Sequence, residues 1–558
     1  MNSTTDAGTT RAGRRVSWSA AARRGLPWLA ALLLATPLLL ALSGLALAWA
    51  TPAPETWAHL RAHVLPGALA NTGALLLAVG IGCAVLGTAC AWLNARHDYP
   101  GRRLFEWALL LPLALPTYVV AFVAIGLLDY AGPVQSAWRA ATGSRAALFS
   151  PNGWPWAAAL LVLCLYPYVY LTVRSALLRQ GEAPAEAARS LGLGRWRTFW
   201  RIRLPLLRPA LMAGLGLALL ETLAEFGAVS LLGVETLTTA VYKTWFGLYS
   251  LPAAAQLASL GLLLAAVLLL AEWRARARQR QYDARLRPAT RQRLRGPAAS
   301  IAILAQAMLL LLAFVLPLVQ LLAWSLPELS WSATELRALG NTVRLGALAA
   351  VLLVGAGLVQ ALLRRRAASR PALGGVLALS TLGYGVPGTV LAAGLLLGLL
   401  SVERGLAAAG ADGVLLTGTL GALLLALQAR FLRASAEPLA AGLALLRPSL
   451  PEAARSLGAG AWRRLLLTLP MLRPSVLAAL LLVAIEVMKE LPATLMLRPF
   501  GWDTLAIRIY ALTSEGLWRE AARPALGLVL AGLLPIWWLV RLQNGPSVPG
   551  RPGATSAD

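Results

Sequence analysis

The sequence predicts an all-α membrane protein with about twelve transmembrane helices, arranged as two six-helix halves in parallel repeat. Three observations predict it. Apolar runs of about twenty residues, the length that a 30 Å hydrocarbon core asks of a helix, recur along the whole chain. Basic residues collect in alternate connections between these runs. Short motifs of the first half return in the same order in the second. Composition agrees: of 558 residues, 58% are hydrophobic and 13% charged, whereas soluble chains average about 25% charged. A soluble enzyme, a disordered chain and a disulfide scaffold are excluded.

The first element is a polar tail, 1–26, holding Arg11, Arg14, Arg15, Arg23 and Arg24. The apolar run after it exceeds the roughly 7–15 residues of a signal-peptide core, so it reads as an uncleaved first span. Spans are expected near 27–50, 68–93, 105–128, 156–178, 207–232, 253–273, 299–324, 342–363, 372–400, 413–431, 473–497 and 523–541. Lipid offers the backbone no hydrogen-bond partners, so each reads as a helix. The first repeat occupies 27–273, an arginine-rich linker 274–298, the second repeat 299–541, and a tail 542–558. Residues 274–295 hold nine arginines. The positive-inside rule therefore puts the linker and both termini in the cytoplasm.

The net charge of +26 is spread between spans rather than over one soluble face, so it implies a bilayer and not a nucleic acid. The chain has only two lysines, Lys243 and Lys489, and neither belongs to a Gly-Lys-Ser/Thr phosphate loop. Any ATP must be bound by a partner. The cysteines, Cys83, Cys90 and Cys164, lie in expected spans and read as small buried hydrophobes.

The repeat is explicit. Asn71-Thr72 returns as Asn341-Thr342, Leu115-Pro116-Thr117 as Val386-Pro387-Gly388, and Leu207-Arg208-Pro209 as Leu472-Arg473-Pro474. The heptapeptide from Glu186 to Gly192 recurs unchanged from Glu452 to Gly458. Each copy sits in the connection between the fourth and fifth spans of its half, at 180–206 and 449–471. Pro184 suits a first helical turn and Gly192 a C-terminal cap. A helix of about two turns is expected, followed by a second amphipathic stretch up to Pro205.

Two carboxylate pairs lie deep in the spans: Glu221 and Glu225, and Glu486 and Glu490 with Lys489 between. The i, i+4 spacing puts each pair on one helix face. A charge at that depth costs about 2.5–3.5 kcal/mol on insertion scales, so such groups face a cavity or a partner. Two readings stay open: a structural or gating role, with Lys489 pairing across the bundle, or contact with a translocating cation, since hard cations prefer carboxylate oxygens. No residue set marks a resident metal site. His59 and His63 stand at i, i+4 without an evident third ligand. No nucleophile–base arrangement points to an enzyme.

The pattern Glu-Ala-Ala-x3-Gly-x9-Ile-x-Leu-Pro resembles the EAA motif of ATP-binding-cassette (ABC) importer permeases. The first copy matches at Glu186, Ala187, Ala188, Gly192, Ile202, Leu204 and Pro205. The second keeps Glu452, Ala453, Ala454, Gly458, Leu469 and Pro470, with one residue fewer before the proline and no isoleucine. The resemblance implies the type I importer permease fold. It also implies a coupling helix in each loop that docks on a cytoplasmic ATPase homodimer carrying ATP and magnesium. A periplasmic substrate-binding protein and an inner-membrane location follow, with no cofactor held by this chain. The strings from Glu221 to Val229 and from Lys489 to Phe500 resemble the two halves of fused iron(III) permeases. Glu225-Phe-Gly-Ala is also similar to molybdate and sulfate permeases. Import of thiamine, a phosphonate or another small solute is the alternative within this architecture. A secondary transporter with a carboxylate proton relay is a remote one.

Overall fold

The structure is a computed structural model that describes residues 12–179, 183–277, 291–327, 330–367, 369–411, 413–446 and 449–543. The start of the N-terminal tail, linker residues 278–290 and the tail from 544 lie outside the described residues. Among the described residues, ten helices are long and apolar enough to cross a membrane: Gly25–Ala48, Pro54–Arg96, Thr117–Thr142, Trp154–Arg179, Trp196–Ala224, Leu251–Arg274, Pro297–Ser325, Ala333–Ala367, Gly388–Ala408 and Arg463–Lys489. Helices Leu420–Leu445 and Trp518–Gln543, of 26 residues each, take the places of the tenth and twelfth expected spans.

The tenth span differs from expectation, running from Leu420 to Leu445 rather than 413–431. The charges that close its apolar run do not close its helix. Glu437 pairs with Arg364 of a neighbouring helix at 3.0 Å, and Arg430 points into the bundle (below).

Four expected spans are broken, and the breaks come in matched pairs. Helix Arg102–Ala108 and a tight turn at Leu111–Ala114 precede helix Thr117–Leu128, with Leu115 extended at ψ 127°. In the second half, a turn at Leu382–Gly385 and Val386 at ψ 131° precede helix Gly388–Ala408. The cause is Pro116 and Pro387: proline lacks an N–H and its ring drives the preceding residue out of the α region. The second matched pair interrupts the acidic helices. Helix Leu204–Ala224 ends before Glu225 (φ −65°, ψ 130°) and a short helix, Gly227–Leu231, follows. Helix Arg473–Lys489 ends before Glu490 (φ −68°, ψ 121°) and Pro492–Leu497 follows.

The same side chains brace the chain beyond the acidic breaks in both halves. The Thr72 hydroxyl accepts from the N–H of Leu237 at 3.1 Å, and that of Thr342 from Leu505 at 2.8 Å, each satisfying an orphan donor at the next helix start. The Asn71 side chain donates to the Glu235 carbonyl at 3.0 Å, and that of Asn341 to the Asp503 carbonyl at 3.1 Å.

The halves are interlocked by exchange of their first helices. Helix Ala12–Ala48 packs on helix Gly388–Ala408, where Gly44 faces the backbone of Gly394 and Gly398 so closely that a Cβ on it would overlap them. Small residues spaced four apart allow such backbone approach in lipid. The last turn of that first helix is held by Gln256, whose amide donates to the carbonyls of Ala48 and Thr51 at 2.7 and 3.0 Å. In return, the opening helices of the second half pack on the first. Trp324 stacks on Phe122, and the Gln306 amide joins Asn94 and Tyr99 in a buried network with contacts of 2.7–3.1 Å.

Candidate functional site

Three of the four breaks meet. Leu115 to Tyr118, Glu225 to Gly227 and Glu490 to Pro492 all line one cavity of about 130 Å³ between the halves, together with Glu221, Glu486, Lys489, Cys164 and Arg430. Irregular backbone at membrane depth is tolerated where it lines a cavity, because polar groups there can still be satisfied. All five intramembrane residues singled out in the sequence are therefore brought together.

Their geometry departs from expectation in one respect. The second acid of each pair does not share a helix face with the first, since Glu225 and Glu490 lie beyond the helix ends in extended backbone. Each turns its carboxylate onto the short helix that follows. Glu225 accepts the N–H of Ala228 at 2.8 Å and the hydroxyl of Thr117 at 2.5 Å. Glu490 accepts the N–H groups of Ala493 and Thr494 at 2.9 and 2.8 Å and the Thr494 hydroxyl at 2.7 Å. An anion at a helix start meets free N–H groups and the positive end of the dipole.

The remaining charges divide unevenly. Lys489 reaches back one turn to Glu486 at 3.2 Å and across to the first half only as far as the Leu113 carbonyl, at 3.4 Å, not to a carboxylate there. The second cation, Arg430, comes from a neighbouring helix of the same half, and its Nη1 lies 3.8 Å from Oε1 of the buried Glu490. Glu221 makes no hydrogen bond or ion pair among the described residues. Four acidic side chains thus face two basic ones in the lining of the cavity. Sequence reasoning missed Arg430, Thr117 and Tyr118. Arg430 gave a signal: a charge within the expected span 413–431.

No group of three or more His, Cys, Asp or Glu side chains suited to a metal ion occurs among the described residues. His59 and His63 lie with ring centroids 5.2 Å apart, and no third ligand joins them.

The EAA loops lie apart from the cavity. Helices Ala183–Ser190 and Ser449–Ser456 have eight residues each, with Glu186 and Glu452 in their first turns. Each ends in the same capping geometry. Gly192 and Gly458 have φ of 82° and 78°. The N–H of Leu193 bonds the Ala188 carbonyl at 3.0 Å and that of Ala459 the Ala454 carbonyl at 2.9 Å. This six-to-one bond through a left-handed glycine is the Schellman motif. Glu186, Ala187, Glu452 and Ala453 are exposed. Beside them Leu191 and Leu457 stand 83% and 87% exposed, so each loop presents an apolar side chain next to an acid.

The missing residue of the second copy finds its place here. From Arg195 the first copy runs through a wide π turn, Phe199–Arg203, to Leu204 and Pro205. The second runs as a regular helix, Ala461–Thr468, into a tight 3-10 turn, Leu469–Leu472, that holds its Leu-Pro. A π turn holds one extra residue without changing direction, so both copies reach their Leu-Pro in the same register. Ile202 belongs to that π turn and has no counterpart to align.

Residues 83–280 match the family model described as the binding-protein-dependent transport system inner membrane component. The chain is 29% identical over 482 residues to the Fe(3+)-transport system permease protein FbpB 2 of Haemophilus influenzae, covering 84% of this chain and 89% of that one. It is 36% identical over 198 residues to the molybdenum transport system permease protein ModB of Escherichia coli, covering 33% of this chain and 82% of that one. A stretch of 145 residues is 35% identical to the sulfate transport system permease protein CysT of Escherichia coli, covering 26% of this chain and half of that relative.

Proposed function

We propose that this chain, which belongs to the family of binding-protein-dependent transport system inner membrane components, is the membrane-spanning subunit of an ABC importer for ferric iron. The charge of the cavity carries the choice of cargo. Two uncompensated carboxylates lower the energy of a cation in the low-dielectric bundle and raise that of an oxyanion such as molybdate or sulfate. The extended match to a relative named for Fe(3+) agrees, whereas the molybdenum and sulfate relatives cover a third or less of the chain.

In this reading the linker and both termini face the cytoplasm, the first repeat spans 27–273 and the second 299–541. Helices Ala183–Ser190 and Ser449–Ser456 dock on a separate ATPase homodimer, with Glu186, Ala187 and Gly192 in one docking face, the buried Ala188 packed behind it, and Glu452, Ala453, Ala454 and Gly458 in the other. The Leu-Pro steps at Leu204-Pro205 and Leu469-Pro470 pass the movement of that dimer into the acidic helices. ATP and magnesium belong to the partner. A periplasmic binding protein delivers the iron at the opposite end, which is why no tight metal cage is needed in the membrane.

The test is uptake of radiolabelled ferric iron by cells lacking their other iron importers, with and without this chain, and with molybdate and thiamine in parallel. Iron uptake that depends on the chain is the expected result. Unchanged iron uptake with loss of molybdate or thiamine uptake would reassign the cargo and leave the permease standing.

A further inference from the structure

The duplication makes the two walls of the cavity comparable position by position, and they match in acids but not in cations. Helix Trp154–Arg179 corresponds to helix Leu420–Leu445 end for end, which places Cys164 opposite Arg430. The acidic helices end in correspondence, which places Ala224 opposite Lys489. Both cations of the cavity therefore belong to the second half, and both have neutral counterparts in the first. The exchange extends to the proline breaks. Thr117 fills the space beside Glu225 and gives it a hydroxyl. Its counterpart Gly388 leaves that space open: a Cβ there would lie 2.5 Å from Arg430 Nη1 and 2.8 Å from Glu490 Oε1. Glycine at 388 is what admits the guanidinium.

A further polar group lies on the uncompensated side. The Tyr118 hydroxyl is buried, lines the cavity and has no hydrogen-bond partner among the described residues. A buried hydroxyl left without a partner is costly, and two carboxylates and a phenol oxygen are the donors that a hard cation takes.

We infer that the translocation path is one-sided: the incoming metal cation is met by Glu221, Glu225 and Tyr118 of the first half, while Lys489 and Arg430 occupy the second-half acids permanently and make them a brace. The inference rests on the cation reading proposed above. Glu490 contributes three hydrogen bonds to the start of helix Pro492–Leu497 besides its ion pair, and Glu486 is held by Lys489. Neither is available to a passing ion without breaking a bond already made. Glu225 shares its carboxylate with Ala228 and Thr117 but with no cation at ion-pair distance among the described residues, and Glu221 is available without breaking any such bond.

The test measures iron uptake and thermal stability of the assembled importer carrying single substitutions. Glu221→Gln is expected to lower uptake about 10- to 100-fold, the worth of one charged oxygen contact, with Tm unchanged because no partner is lost. Ala224→Lys keeps every carboxylate but copies the Lys489–Glu486 arrangement onto Glu221, and is expected to lower uptake comparably. Arg430→Gln and Glu490→Gln are each expected to lower Tm, with the double variant partly restored, and uptake should fall only as the amount of assembled protein falls. Full uptake per assembled molecule by both Glu221→Gln and Ala224→Lys, from a wild type that carries iron, would overturn the one-sided path and leave the cargo assignment intact. A wild type that carries no iron would overturn the cargo assignment and this inference with it.

Discussion

The EAA loops and the cavity walls are both duplicated, yet they have kept different things. The loops are alike in their repeated heptapeptide, helix length, cap geometry and exposed leucine, and their one-residue discrepancy falls at a π turn. The walls are lined by four carboxylates and three of the four backbone breaks but differ wherever a cation stands. The difference teaches what each region faces. On the function proposed here, a surface that meets a two-fold ATPase must present itself twice. A single path between two walls carries one ion through, and nothing requires its two sides to be equal.

The comparison can be broken first at the loops. Replacing Glu186 and Glu452 together with Ala should abolish uptake and co-purification of the ATPase, whereas either single replacement should leave partial function. A normal double variant would remove the docking role. At the walls, Arg430→Gln should cost about 3–5 kcal/mol because it strands a buried carboxylate. Cys164→Ala at the matching position should cost about 1 kcal/mol, and thermal unfolding in detergent reads both. Equal losses would mean that the walls are energetically alike. A finer contrast lies in how the two capping acids are held. Thr117→Val removes one of two bonds to Glu225 and should cost about 1.5–3 kcal/mol, more than Thr494→Val, which leaves Glu490 two backbone donors and an arginine. The smallest effect should also be the most symmetric: Thr72→Val and Thr342→Val each remove one helix-start bond and should cost about 1 kcal/mol apiece.

Much of this was legible in the sequence because it rests on local signals. Apolar length marked the spans, the repeated heptapeptide marked the loops, and carboxylates inside apolar runs marked the cavity. What stayed hidden was tertiary. Pro116 and Pro387 are strong break signals, but inside runs such as 105–128 and 372–400 apolarity outweighed them, and so did the extended Glu225 and Glu490 in 207–232 and 473–497. Hydropathy ended the tenth span near Arg430 because it counts a charge as unsatisfied. Only the vacancy at Gly388 and the carboxylate of Glu490 explain why that arginine can be buried. The exchange of first helices leaves no mark in hydropathy at all, since packing in lipid depends on shape rather than apolarity.

That exchange has a consequence for synthesis. Gly44 finds its neighbours Gly394 and Gly398 about 350 residues later in the chain, which at ribosomal speeds of roughly 5–20 residues per second is a wait of about 20–70 s. During that interval the first helix lies in the bilayer with its small-residue face uncovered and open to any other helix that drifts past. Carrying both halves on one polypeptide means that the partner it awaits is tethered and arrives in equal number. Two separately made halves would have to find one another by diffusion, each with an unfinished seam.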